Sequence, residues 1–290
     1  MAAESKPTDA GLFGPHSVSW QVNRETTVLF GGARALLMQA AHPLILAGAR
    51  QTGFYERNPW KRMERTLHLT YTITFGTKEQ AQDAAGRIAR AHEDVHGIDD
   101  VTGLPYDAND PDLLLWVHAC LVDSSLLFER LTVGKLDDAA RERFHREQIV
   151  GAELVGLPAS KIPPTVAELR AYIDEVIAGG ILRVTADTMK VANLVRRPPP
   201  GVPWRPVLRL VSRWAFGTLP EPLRRMYGVG WNPLKELQLR GGVGTLKLIR
   251  PAIPTYFREI FPARQAVRRV APAARKSAAP DEDSSGRPGE

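Results

Sequence analysis

Only one cysteine, Cys120, occurs in 290 residues, so no internal disulfide framework can form, and the chain fits a reducing cytoplasm. Residues 1–15 contain no apolar core and do not read as a secretory signal. The longest hydrophobic run, 35–49, is broken by Gln39, His42 and Pro43 and is too short to cross a bilayer. No stretch alternates with period two, no segment repeats, and Gly241-Gly242-Val-Gly244 lacks the strand-turn-helix setting of a phosphate loop. These absences leave a soluble, cytoplasmic, all-α chain without a transmembrane segment. No recognised nucleic-acid motif is present either.

What is present is ordinary globular material, 43% hydrophobic and 24% charged, in a length that suits one large domain or two small ones. The net charge of +6 conceals an asymmetry. Residues 1–195 carry 20 Lys/Arg against 25 Asp/Glu, whereas 196–258 carry 12 against 2. The basic segment, with Trp204, Trp214, Phe216 and Trp231, reads as a solvated basic face over core tryptophans. Peripheral contact with an anionic membrane is the alternative.

Helical spacing runs from about Arg24 to Ala41, where Pro43 must kink or end it. A second helix opens at Asn58-Pro59. A third, about 78–96, places Ala81, Ala85, Ile88, His92 and Val95 on one face. Gly103 to Asn109 reads as a loop. Asp110-Pro111 caps a helix to about Leu131 with Leu114, His118, Leu121 and Ser125 along one stripe. Asp137 to Leu154 and Thr165 to Ala178 follow. After Pro198-Pro199-Pro200 come shorter helices at about 205–216, 220–227 and 232–238, then irregular segments. Residues 1–15 and 264–290 read as disordered, leaving 16–263 as one multi-helix domain.

Three histidines fall in apolar surroundings: His42, His92 and His118. Each needs a polar partner in the core, and convergence on a cofactor would supply one. Arg62 and Thr66 share a helix face, with Arg65 adjacent; guanidiniums held inside a protein need anions such as cofactor carboxylates or acidic side chains. Solvated surface positions are the alternative for these three. His16, His68 and His145 read as ordinary histidines, and His96 as exposed near a helix end. His92-Glu93-Asp94-Val95-His96 is a literal H-E-x-x-H, which on a helix would offer two zinc ligands and a general base in Glu93. Asp94 in place of an apolar residue, Gly97 at the helix end and Thr102 in place of a third ligand count against it.

Several motifs in one order carry a family resemblance. Arg34-Ala-Leu-Leu-Met-Gln-Ala-Ala-His42-Pro, Asn58-Pro-Trp-Lys-Arg62-Met-Glu-Arg65-Thr66, Phe75-Gly76, His92-Glu-Asp-Val-His-Gly97 and Asp110-Pro-Asp-Leu-Leu-Leu-Trp116-Val-His118-Ala119 together resemble the MpaB-type oxygenases. The relatives of that family include a rubber oxygenase, the latex clearing protein. The likeness covers about Arg24 to Gly230, with Leu219-Pro220 and Tyr227-Gly228 in its later part.

The resemblance implies haem b in an all-α fold with a globin-like core. It implies His92 as the proximal ligand of the iron, and His42 and His118 in the pocket. Arg62, Arg65 and Thr66 correspond to a distal Arg-x-x-Lys-Thr pattern, with Arg65 standing where the relative has lysine. A guanidinium cannot become a neutral amine ligand, so the distal position departs from the relative. The absence of C-x-x-C-H argues against covalent attachment of the haem.

The expected function is haem-dependent oxygenation of a small apolar, isoprenoid-like substrate with dioxygen or a peroxide. A haem carrier or sensor is the alternative, followed by a zinc hydrolase on His92, Glu93 and His96, and by a cofactor-free helical interaction protein.

Overall fold

The computed structural model describes residues 9–53, 59–197 and 205–277, apart from the side chains of Arg62 and of residues 272–277. It is all-α as expected, with one small hairpin as the exception among the described residues. α1 (Val18–Asn23) is capped by Ser17, and α2 (Thr26–Leu29) and α3 (Gly31–Ala40) follow. At His42 the chain turns by 101° into α4 (Pro43–Gln51). Proline makes this corner: it cannot donate to the preceding turn, yet it is free of penalty as the first residue of the next helix.

α5 (Pro59–Phe75) and α6 (Lys78–Glu93) pack Leu69 and Ile73 on Ala84 and Ala85. Thr77 and Gln80 form a reciprocal capping box at the start of α6. β1 (His96–Ile98) and β2 (Pro105–Asp107) pair antiparallel, His96 opposite Asp107 and Gly97 opposite Tyr106. Asp99 closes their turn by accepting from the backbone and hydroxyl of Thr102. The second half contains α7 (Pro111–Thr132), α8 (Asp138–Leu154), α9 (Val166–Ala178), α10 (Ala186–Arg196), α11 (Arg205–Gly217), α12 (Glu221–Met226), α13 (Pro233–Ile249), α14 (Thr255–Arg258) and α15 (Phe261–Ser277).

α7 is the axis of the core. α1, α2, α3, α8, α9 and α13 pack around it, burying Trp116, Ala119, Cys120, Val122 and Leu126. Its composition would suit a membrane span; its place in the middle of the fold accounts for the same apolarity. Three polar ties hold the helices in register. Arg34 on α3 reaches Asp123 at 2.8 Å, Ser124 at 2.7 Å and the Thr218 carbonyl at 3.0 Å. The Tyr227 hydroxyl donates to the Leu37 carbonyl at 2.6 Å. Glu25 and Arg250 form a buried ion pair between chain segments far apart in sequence.

Several expected boundaries differ. The helix read from Arg24 to Ala41 is split at Phe30, where Gly31 approaches α7 so closely that a Cβ would lie 2.8 Å from the Ser124 carbonyl oxygen. α6 ends at Glu93 rather than His96, and the expected loop 103–109 contains β2. α10, opened by Thr185 and Thr188, was not anticipated. α13 continues through its glycines to Ile249, eleven residues beyond the expected end at 238. Residues 9–15 pack onto the fold, with Asp9 accepting from the backbone N–H groups of Gly11 and Lys78. Residues 261–277 form α15, which buries Ala263 and Ala266, so helix occupies the first part of the segment expected to be disordered.

Candidate functional site

His42 is the N-cap residue of α4, held at the corner by its own N–H to Gln39 and its carbonyl to Leu46. It is buried, and its Nδ1 has no hydrogen-bond partner. Burial pushes its pKa down to about 4, only partly opposed by Asp110. The imidazole is therefore neutral at neutral pH.

His92 lies in the last turn of α6, half-buried, and its Nδ1 is likewise unpartnered. Burial lowers its pKa against the pull of Asp107. α6 stops one residue later because Asp94 and Val95 leave the helix to start the hairpin. Gln51 secures this exit by donating to the Asp94 carbonyl and accepting from the Tyr106 hydroxyl. Arg50 fastens the same end of α4 to Asp99, Asp100 and Asp187 at 3.1–3.5 Å, tying α4 to the hairpin and α10. His42 and His92 thus bracket the turn 107–110 that leads into α7.

His118 lies two turns inside α7, on the stripe that begins with Asp110 and Leu114, about 12 Å along the axis from the N-cap. Its Nε2 is buried without a partner, and burial, with the neighbouring His145, lowers its pKa to about 4. His145 on α8 is fully buried. Its Nε2 meets the Pro163 carbonyl at 2.7 Å, and its ring centroid stands 6.4 Å from that of His118. Only a donor satisfies a carbonyl, so Nε2 carries a proton, and Nδ1 is a further buried ring nitrogen without a partner.

The sequence reading leaves His145 among ordinary core histidines. Nothing in its local pattern signals that it adjoins His118, because the pairing spans two helices. The stripe of Leu114, His118, Leu121 and Ser125 exists on α7, but Leu121 is 42% exposed in the middle of it. The helices packed around α7 leave this apolar face partly uncovered.

The remaining candidates lie on α5. Arg65 and Thr66 are exposed, and the Thr66 carbonyl accepts from the Thr70 hydroxyl. The Arg62 side chain lies outside the described residues. His96 is exposed on β1, so it does not share a helix face with His92 as the H-E-x-x-H reading requires. Among the described residues no three His, Cys, Asp or Glu side chains come together as a metal site. A surface depression lined by His96, Tyr106, Asp107 and Asp110 opens beside the hairpin.

Fold and site together define an all-helical protein whose core holds neutral, unpartnered imidazoles beside a partly uncovered apolar helix face. The chain belongs to the family described as ER-bound oxygenase mpaB/B'/Rubber oxygenase, catalytic domain, which matches residues 20–248. It is therefore an enzyme of the oxidoreductase type, in a family of oxygenases.

Among curated proteins it is similar to Uncharacterized protein Rv2237 of Mycobacterium tuberculosis and Uncharacterized protein Mb2261 of Mycobacterium bovis. Each is 26% identical over 235 residues, covering 77% of this chain and 88% of the relative. No solved structure matches this chain. The match contains every motif of the resemblance, and the structure gives two of them a mechanical role: Arg34 and Tyr227 both latch α3, the helix that delivers His42 to its corner.

Proposed function

We propose that this chain is a haem b-dependent oxygenase in the cytoplasm, acting on a small apolar, isoprenoid-like substrate, within a core of globin-like character. The observation that supports this most is the set of buried, neutral imidazole nitrogens without partners on His42, His92 and His118. An unmade hydrogen bond in a core costs about 1–3 kcal/mol, and a cofactor ligated by one of these nitrogens would remove that cost. When bound, haem supplies an iron centre able to take up dioxygen or a peroxide.

The chain's own residues do the rest. His92, whose pKa burial lowers, would hold the iron through a ring nitrogen, and the Gln51 clamp on the Asp94 carbonyl fixes its position in the last turn of α6. Leu121, exposed on the same stripe of α7 as His118, offers an apolar contact that would favour a hydrocarbon substrate. Arg65 and Thr66 are exposed, and Arg65 would supply a cation for the carboxylates of the cofactor.

A second reading rests on a particular atom. The unpartnered nitrogen of His118 is Nε2, the outer nitrogen of its ring, so His118 would be the rival residue to hold the iron. Together with His92 it would hold the iron of a haem carrier or sensor.

The test is the absorption spectrum and iron content of protein made with haem precursor, beside His92→Ala and His118→Ala. The oxygenase reading expects a Soret band, a response to carbon monoxide after reduction, and loss of haem in His92→Ala with helicity retained. Loss in His118→Ala alone moves the ligand to α7. A six-coordinate spectrum indifferent to carbon monoxide favours the carrier. The absence of haem from the wild-type protein defeats both readings.

A further inference from the structure

Apolar side chains left in water are concentrated in one stretch of this chain. Sixteen large hydrophobic residues are exposed among the described residues, and eleven of them lie between Val207 and Val267. The extreme cases are Leu248 at 80%, Leu237 at 67%, Tyr256 at 64%, Leu234 at 61%, Phe261 at 60% and Phe257 at 58%. Scattered exposed leucines are ordinary, but a concentration of this kind marks an interaction surface.

α13 is apolar on two opposite faces. Leu239, Val243 and Leu246 pack with Trp214 and Phe128, whereas Leu234, Leu237, Gly241, Thr245 and Leu248 recur at helical spacing on the solvent side. Exposed Lys235, Arg240 and Lys247 flank that outer stripe. α14 and the first turn of α15 follow directly in the chain. There the Tyr256 and Phe257 rings meet edge-on at 5.2 Å, and the Arg264 guanidinium lies 4.0 Å from the Tyr256 ring and 5.8 Å from that of Phe261. Tyr256, Phe261, Arg264, Gln265 and Arg268 line a cavity of about 240 Å³.

Charge follows the same division. Residues 205–271 carry 13 Lys/Arg against 3 Asp/Glu, a net of +10, whereas residues 1–195 carry a net of −5. Everything beyond residue 248, including the aromatic part of this edge, lies outside the family match.

We infer that the edge formed by α13, α14 and the start of α15 docks on an anionic phospholipid bilayer. Leu248, Phe257 and Phe261 enter the acyl boundary, while Lys247 and Arg268 meet the lipid phosphates; the Arg264 guanidinium is held by the carbonyls of Tyr256 and Glu259 and braces the aromatic cluster. Apolar tips interleaved with cations are the composition of interfacial segments, and long basic side chains can lie along the boundary with their heads in water. Leu248 and Phe257 stand outside the cavity that Phe261 lines, and such projecting tips fit a fluid surface that conforms to them. The acidic remainder is repelled by the same lipids, so the molecule orients with this edge down. The inference does not depend on haem.

The experiment is co-sedimentation of the full chain with vesicles of phosphatidylcholine alone and of phosphatidylcholine mixed with phosphatidylglycerol. The expected result is binding to the mixed vesicles only, weakened by salt. Phe257→Ser with Phe261→Ser, and separately Lys247→Glu with Arg268→Glu, should each lower it about tenfold or more. All four side chains are exposed, so far-UV circular dichroism should stay unchanged. No sedimentation with anionic vesicles at low salt overturns the inference, as does binding that survives either double substitution. Capture of polyglutamate through the same cations without vesicle binding would replace the bilayer by an acidic protein partner.

Discussion

The body that contains the histidines and the basic region after residue 204 are incomplete in opposite ways. In the first, polar atoms are buried without partners: ring nitrogens of His42, His92, His118 and His145 lie in the core unbonded. In the second, apolar side chains stand in water beside an excess of cations, from Leu234 to Phe261. All seven histidines occur by residue 145, and among the described residues eleven of the sixteen exposed large hydrophobics occur after residue 206. A core that lacks polar partners is completed by something that enters it, whereas a surface that lacks cover is completed by something that lies against it. One chain therefore holds two kinds of unfinished surface, and they call for different ligands.

The contrast can be broken most severely at the ties of the first region. Arg34→Met removes the guanidinium that joins Asp123, Ser124 and the Thr218 carbonyl, leaving a largely buried carboxylate. Breaking one side of a buried ion pair costs about 3–5 kcal/mol, and the remaining contact of Asp123 with Arg170 at 3.8 Å places the loss at the lower end. Denaturant unfolding measures it. A loss under about 1 kcal/mol would mean that α3 is held by packing alone.

Acid should find the same region next. His42 and His118 titrate at about 4 in the folded protein against an ordinary 6.5, so the folded state favours their neutral forms. Their contribution is fully present above pH 6.5 and is lost as pH falls toward 4, by up to about 3 kcal/mol per histidine. His118→Leu should remove about half of that pH dependence, as read from unfolding curves near neutrality and in mild acid. An unchanged slope would show that His118 is not the group being charged.

The smallest effect belongs to the second region and sharpens the comparison. Phe257→Ser should change stability by no more than about 0.5 kcal/mol, because the ring is already in water. Phe144→Ser, the same chemical change on a ring that is 1% exposed, should cost about 3–5 kcal/mol. Thermal melts of the two variants give the contrast directly. A large loss at Phe257 would mean that the aromatic edge is structural.

Helix starts were the most legible part of the fold, because caps act within one turn. Asp110-Pro111 announces α7 as anticipated, and Asp110, Asp137 and Thr165 each accept from a backbone N–H in the first turn of α7, α8 and α9. Helix ends were less legible. α6 ends before His96 because the hairpin, pinned by Gln51 and Tyr106 from another segment, draws the chain away. α13 runs through three glycines because Val243 and Leu246 pack against Trp214, and that packing outweighs the propensity cost of about 1 kcal/mol per glycine. In the candidate site, the apolar settings of His42, His92 and His118 could be read from sequence, whereas the partnership of His118 with His145 and the exposure of Arg65 and Thr66 could not.

By itself, then, the sequence determined the all-α class, the corner at Pro43, most helix starts, the uneven charge and the family, since each depends on local chemistry or on ordered motifs. The tertiary structure alone decided which imidazole nitrogens go without partners, that Arg34 and Tyr227 converge on α3, that His96 leaves the face of His92, and that α13 keeps an uncovered apolar side. Those outcomes depend on what lies opposite each residue, and that is set by how helices distant in the chain pack around α7.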